Sequence, residues 1–266
     1  MPRQKKSNTE TALIKPDQLK QDLAKAGFDY DAELQEQAKG LNIEPPRVKI
    51  EHSDSGRHRM YIDFGESYFH EDKQFEDIKD NKLKAIVALA QPVRAWFVEG
   101  EKYPHCAAIE DLPTVPEPVC SKCTVCKEAI PREGSCKPKM RLFLLRRKNG
   151  AYQALVFPLS PTSIKRWKNH IKALQRDKIP YIGVVTTFEL EDTKKDNYRW
   201  AEVKLGIDGT TTEEELQSIM EFRVQYKELF GRIDKRDFED PGDEQKLDPE
   251  KEIPDDDGED QEDLPF

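Results

Sequence analysis

Apolar and polar positions along the chain change period several times. Over Gln18 to Ala26, Leu19, Leu23 and Ala26 fall at i, i+4 and i+7, which predicts a short surface helix. A second helix is expected over Asp31 to Lys39, ended by Gly40 and the Pro45-Pro46 pair, which cannot continue it. From there the period drops to two. Val48 and Ile50 alternate with Lys49 and Glu51; Met60, Ile62 and Phe64 alternate with Tyr61 and Asp63; a longer run, interrupted at Pro92, covers Leu83 to Val98. Arg141 to Arg146 and Ala151 to Phe157 are strand-like and flank Lys148-Asn149-Gly150, a β-hairpin signal because Asn and Gly tolerate positive φ. Ser160 to Ser163 then opens a helix with a hydroxyl N-cap, its apolar positions Ile164, Trp167, Ile171 and Leu174 at helical spacing. Tyr181 to Leu190 and Tyr198 to Leu205 read as the last strands, and Thr212 with Glu215 forms a capping-box pattern at the start of a closing helix that runs to about Phe230.

Short strands, a helix inserted between hairpins and a flanking helix predict a mainly β fold with flanking helices (α+β), a small barrel rather than a parallel α/β sheet. No apolar run reaches the ~18 to 20 residues that cross a bilayer, so no membrane partner is expected. Basic residues in Met1 to Glu10 lack an apolar stretch behind them, which argues against a secretory signal and for a cytoplasmic protein. There is no glycine-rich phosphate loop and no G-x-S-x-G elbow, so nothing supports a nucleotide hydrolase or a serine hydrolase.

Charge refines this picture. The 266 residues carry a net charge of -9, but residues 234–266 hold 16 acidic and 4 basic side chains, which leaves the remainder mildly basic. Between Cys136 and Trp200, 15 Lys or Arg stand against 5 Asp or Glu, a block suited to an anion. The acidic segment lacks the apolar content to fold and is expected to be disordered.

All five cysteines, Cys106, Cys120, Cys123, Cys126 and Cys136, lie within 31 residues, and disulfides are not expected in a chain without an export signal. Two thiolates at x2 spacing can hold one Zn²⁺ from a tight knuckle, with distant cysteines closing a tetrahedral shell. The expected structural zinc ligands are Cys106, Cys120, Cys123 and Cys136, with Cys126 as the alternative. An iron-sulfur cluster is the rival, although its fourth cysteine ordinarily follows after three residues and here follows after nine.

Within the basic block, cations alternate with aromatic rings, the mixture that single-stranded nucleic acid needs for its phosphates and unpaired bases. The candidate contacts are Lys139, Arg141, Phe143, Arg146, Arg147, Lys148, Tyr152, Lys165 and Arg166, with Phe143 and Tyr152 as the stacking rings. Phe157, Trp167 and Phe188 lie on apolar faces and are expected in the core.

Pro104-His105-Cys106, Cys120-Ser121-Lys122-Cys123, Gly134-Ser135-Cys136-Lys137, Arg141 to Leu145, Leu159 to Lys165 and Gly183-Val184-Val185-Thr186, taken in order, resemble a family of phage-type single-stranded DNA-binding proteins. The resemblance covers about residues 46–205 and departs from the family at Cys126. It implies an oligonucleotide-binding (OB-fold-like) barrel over 46–231 with a zinc insertion at about 104–138, between an N-terminal extension (1–45) and an acidic tail (232–266). Glu262-Asp263-Leu264-Pro265-Phe266 is similar to the C-terminal tip of bacterial single-stranded DNA-binding proteins. That second resemblance implies docking of replication and repair enzymes, the Phe266 ring entering an apolar pocket while carboxylates meet a basic rim. The expectation is a non-enzymatic, nucleoid-associated protein that binds single-stranded DNA in replication, recombination or repair; a zinc-containing RNA-binding or transcription-associated module is the alternative.

Overall fold

The computed structural model describes residues 16–29, 32, 44–53, 55–65, 75–98, 101, 103–130, 134–195 and 198–238. The chain divides into two units, residues 1–44 with 67–72, and residues 45–66 with 73–266. In the first, helix α1 (Pro16–Lys25) forms where Leu19 and Leu23 predict it. The segment 1–15, the helix expected over 31–39 apart from Ala32, and the acidic segment 239–266 lie outside the described residues.

The second unit is mainly β. Its strands, among the described residues, are β1 (Arg47–Glu51), β2 (Arg59–Asp63), β3 (Phe75–Asp77), β4 (Lys82–Trp96), β5 (Cys106–Ile109), β6 (Leu112–Pro113), β7 (Lys137–Lys148), β8 (Ala151–Leu159), β9 (Val184–Lys195) and β10 (Tyr198–Thr210). They form one sheet in the order β10-β9-β4-β7-β8-β1-β2-β3, with β5 and β6 branching from β4. Pairing is antiparallel except between β1 and β8, which meet at Arg47 and Val156. The sheet curls into a half-barrel. Its two ends approach each other where the β1–β2 loop meets the β9–β10 hairpin: Nε2 of buried His58 lies 2.9 Å from Asp192, and the Ala201 amide donates to His52 Nδ1. Because His58 Nδ1 accepts from the Ser53 amide, Nε2 carries the proton and donates. Arg199, forked onto Asp192 and helped by His58, holds that carboxyl at about 2. Gly56 fits this junction for two reasons: its φ is +77°, and a Cβ there would collide with the Arg199 guanidinium.

The predicted hairpin closes as expected. Lys148 pairs with Ala151, and Asn149 and Gly150 both take positive φ (51° and 84°), as a two-residue turn with the strands' own twist requires. β4 runs unbroken through Pro92. It pairs with β9 over Lys82–Ile86 and with β5 over Val93–Trp96, so Pro92 sits in the interval where that edge of β4 faces no strand and the missing N–H costs least.

Alternation along the strands fills the barrel interior with Val48, Met60, Ile62, Leu83, Leu142, Leu144, Leu155, Phe157, Phe188 and Val203. Helix α2 (Pro161–Arg176) plugs it with Ile164 and Trp167. Ser160 stands at the N-cap of α2, but its hydroxyl meets that of Ser163 rather than a backbone amide; buried Ser163 in turn accepts from the Val203 amide. Helix α3 (Glu213–Gln225) begins with the predicted capping box, Thr212 and Glu215 each accepting from the other's amide, and α4 (Lys227–Phe230) follows it. These helices cover the outer face of β4, β7 and β8: Ile219, Phe222 and Phe230 pack on Phe143, Leu145, Ile86 and Val156. β7 is therefore buried on both faces.

The segment after α4 corrects the expected boundary of the tail at 232. Asp237 is 1% exposed and accepts from Arg47 Nε at 3.1 Å and from Arg141 Nη1 at 3.3 Å, both guanidiniums themselves buried; Asp234 joins Arg47 at 3.2 Å, and Phe238 packs on Phe97. Arg141 also donates to Gln91 and to the carbonyls of Phe230 and Arg232. Burial weakens the Arg141 charge, and Asp237 opposes that loss. Residues 232–238 belong to the folded body because two buried cations require this carboxylate.

Replacing Asp237 by Ala leaves those cations buried without it, which costs about 3 to 5 kcal/mol. Urea unfolding should show the midpoint fall accordingly, whereas Asp208→Ala, which removes an exposed ion pair with Lys84, should change stability by less than about 1 kcal/mol.

Candidate functional site

The cysteines converge because of the way β4 ends. β5 and β7 pair with opposite edges of its last residues, Trp96 facing Cys106 and Ala95 facing Lys137, which brings Cys106 and Cys136 to one end of the strand from either side. Between them the chain forms two short 3₁₀ turns, Cys123–Val125 and Lys127–Ala129; the Cys126 amide donates to the Cys123 carbonyl and the Cys136 amide to that of Glu128. All five cysteines are free thiols, and all but Cys120 are buried. Cys106 and Cys126 each interact electrostatically with Cys120, Cys123 and Cys136. Burial first, and mutual repulsion second, push the Cys120 and Cys136 thiols up to about 12. Burial also raises Cys123, while Arg94, whose buried guanidinium donates to the Ala129 carbonyl, acts in the opposite sense.

Among the described residues no three His, Cys, Asp or Glu side chains stand, as placed, in an arrangement that holds a metal ion. The donor set nevertheless fits a soft divalent cation: convergent buried thiols would be deprotonated by the ion's charge, which inverts the repulsion that now keeps their protons on. Cys126, held as an alternative from spacing alone, lies within this cluster beside the four expected ligands.

The structure separates the expected nucleic-acid contacts. Phe143 is fully buried against Phe222 and Phe230, and Arg141 is 2% exposed in the Asp237 network, so neither presents a surface to a strand; both are corrected to structural roles, because α3, α4 and residues 232–238 cover that face of β7. Lys139 is buried too. Arg146 is almost buried and forks onto Glu76 at 3.0 Å, a carboxylate that Lys148 also holds. Arg166 lies on α2 and pairs with Glu191 and Glu202. Arg147 and Lys165 are exposed, and Tyr152 is half-buried. As expected from their periodicity, Phe157, Trp167 and Phe188 are core.

Sequence reasoning missed a set of rings outside the basic block. On the outer face of β2 and β3, Tyr61 and Phe75 meet edge-to-face at 5.9 Å, and the Arg59 guanidinium lies over both, 5.1 and 4.5 Å from their centroids. Phe75 is 44% exposed. At the end of β2, Phe64, 39% exposed, has the Lys148 ammonium 5.9 Å from its ring centre. Lys148 also lines an open groove with Pro46, Asn149, Tyr152, Gln153 and Tyr226. Phe75 and Phe64 are thus exposed rings with a cation near each, whereas Tyr61 and Tyr152 are half-buried. The outward period-two positions of β2, Arg59, Tyr61 and Asp63, were the available signal. Acids are interspersed: Glu51 and Asp77 pair with Arg59, and Glu214 and Glu215 add to burial in raising the Tyr152 hydroxyl.

Comparison of the chain with protein-family models, with curated proteins and with solved structures finds no match. Among the described residues no helix is long and apolar enough to cross a membrane.

The thiolate is the reactive form of cysteine, so the raised thiols should be slow nucleophiles. A thiol-reactive chromophore should find no fast cysteine in the native protein at mildly alkaline pH and five after denaturation; fewer than five would reveal disulfides.

Proposed function

We propose that this protein binds single-stranded nucleic acid, DNA in the first instance, without catalysing a reaction on it. The observation that carries the reading is the pair of exposed rings Phe75 and Phe64, with the Arg59 guanidinium over Phe75 and half-buried Tyr61 and the Lys148 ammonium near Phe64, together with the open groove at Tyr152. Rings accept bases of any sequence, while exposed Arg147 meets phosphates at the turn. The resemblance to phage-type single-stranded DNA-binding proteins also supports this reading, and the oligonucleotide-binding barrel it implies belongs to the same proposal. Residues 255–266 would then recruit replication or repair enzymes through the Leu264-Pro265-Phe266 apolar end.

Phe75→Ala and Tyr61→Ala should each weaken oligo-dT binding by about 1 to 3 kcal/mol with little change in salt dependence, because stacking is not ionic. Arg147→Glu should weaken binding and flatten the salt slope, since fewer counterions are released. Fluorescence titrations at two salt concentrations measure both. Equal affinity for duplex, or unchanged affinity in all three variants, rejects the reading; tighter binding of an RNA of the same sequence transfers it to RNA.

The cysteine cluster supports structural zinc in the same protein. The ligands proposed are the four buried thiols: the knuckle Cys123-x2-Cys126, with Cys106 and Cys136 from the ends of β5 and β7, leaving half-exposed Cys120 aside. Such a shell is closed and would contribute folding free energy rather than chemistry. Metal analysis should find about one zinc per chain in the wild type and in Cys120→Ser, and none in Cys126→Ser or Cys136→Ser, which should also melt earlier. A fully folded, metal-free wild type overturns the assignment, and bound iron moves it to a cluster.

A further inference from the structure

Helix α2 contains no Asp or Glu, yet it carries Lys165, Arg166, Lys168, Lys172 and Arg176. Arg166 is committed to Glu191 and Glu202. Three of the others share a different side. With about 100° between successive residues, Lys165, Lys172 and Arg176 fall within about 40° of one another, directly opposite buried Trp167 and Leu174. Asn169 fills the interval between Lys165 and Lys172, and Lys168 stands at the edge of the line. Lys165, Lys172 and Arg176 are exposed and have no ion pair among the described residues; Asp177, the next acid, follows the last turn. From Lys165 to Arg176 the line is about 16 Å long. Its charges are crowded: burial first, then repulsion from Lys172 and Arg94, makes the Lys168 ammonium easier to deprotonate.

Such a line suits a polyanion with a repeating charge better than a folded partner. A protein interface needs an apolar centre and is depleted of Lys there, and among the described residues no exposed large apolar side chain lies on α2. Phosphates need only positive charge within reach. We propose that the backbone of a bound single strand runs along α2, its phosphates meeting Lys165, Lys172 and Arg176. This rests on the reading of the protein as a single-strand binder, and it gives the strand a second hold, on a helix rather than on the sheet. The division of labour is chemical. Phe75 and Phe64 offer rings to bases, whereas the one Phe, Tyr or Trp of α2 is buried Trp167, so the helix supplies charge without stacking. Short links join the two surfaces through the barrel's closing junction: Glu191, which Arg166 holds, precedes Asp192; Asp192 meets His58; and Arg59, the cation over Phe75, follows His58.

Titration of the full chain with fluorescent oligo-dT tests this in three proteins: the wild type, Lys165→Gln/Lys172→Gln/Arg176→Gln, and a control, Lys84→Gln/Lys127→Gln/Lys204→Gln, that removes the same charge from exposed positions elsewhere. Each phosphate contact to a single strand contributes about 0.7 to the logarithmic salt slope, so losing three should flatten it by about 2. The wild type's advantage over the α2 variant should then fall roughly twentyfold between about 50 and 200 mM salt. The circular dichroism spectrum should not change, because these side chains face away from the core, and the control should keep most of the wild-type slope. An α2 variant with the wild-type slope, or a control that loses as much, overturns the proposal; if Phe75→Ala weakens binding in the same series, the reading of the protein survives that failure. A wild type that does not bind oligo-dT overturns both. An α2 variant that binds oligo-dT normally but no longer binds poly-glutamate assigns the helix to an acidic protein segment, and that also overturns the proposal.

Discussion

β7 is buried on both faces, and the rest of the body is arranged around that constraint. One side of the strand supplies Leu142 and Leu144 to the barrel interior, and the other lies beneath α3 and α4 through Phe143 and Leu145. A strand so enclosed has no place for an isolated charge, because desolvating a guanidinium without a partner costs several kcal/mol. Arg141 is enclosed nonetheless. Its ion pair with Asp237, shared with Arg47, fixes where the chain must pass after α4, and with it the path of residues 232–238 over the sheet. The pair is weak evidence of net stabilisation, but removing one member strands the others, so it specifies position more than it adds strength.

Much of the local structure was legible in the sequence. Asn149-Gly150 and Thr212-Glu215 carry their geometry in two residues each, since positive φ and a reciprocal cap depend on nothing further away. Periods of two and of 3.6 located the strands and the helices α2 and α3. Sides were harder. Arg141 and Phe143 alternate with interior leucines and so read as outward, which they are; that α3 and α4 lie on that outward face is a tertiary fact without a local sign. Asp237 was grouped with the acidic tail because composition averages over a window, whereas burial is decided residue by residue.

The surface rings were overlooked for a related reason. The basic block from Cys136 to Trp200 drew attention through its net charge, but many of its cations are committed internally: Arg146 and Lys148 to Glu76, Arg166 to Glu191 and Glu202, Arg199 to Asp192. Charge excess in a sequence counts side chains before pairing. Tyr61 and Phe75 lie in a net-acidic stretch, and only the pairing of β2 with β3 brings their rings together.

The Arg47–Asp237 pair spans 190 residues of sequence. During synthesis the chain emerges from its N-terminal side, and Arg47 and Arg141 are both exposed to solvent long before the carboxylate that accompanies them into the interior has been made. The outer face of β7 must therefore stay open until α3, α4 and Asp237 have left the ribosome together. Completion of this body is a late event in synthesis, and the nascent chain carries an uncovered Phe143 and Leu145 face that chaperones are suited to shield.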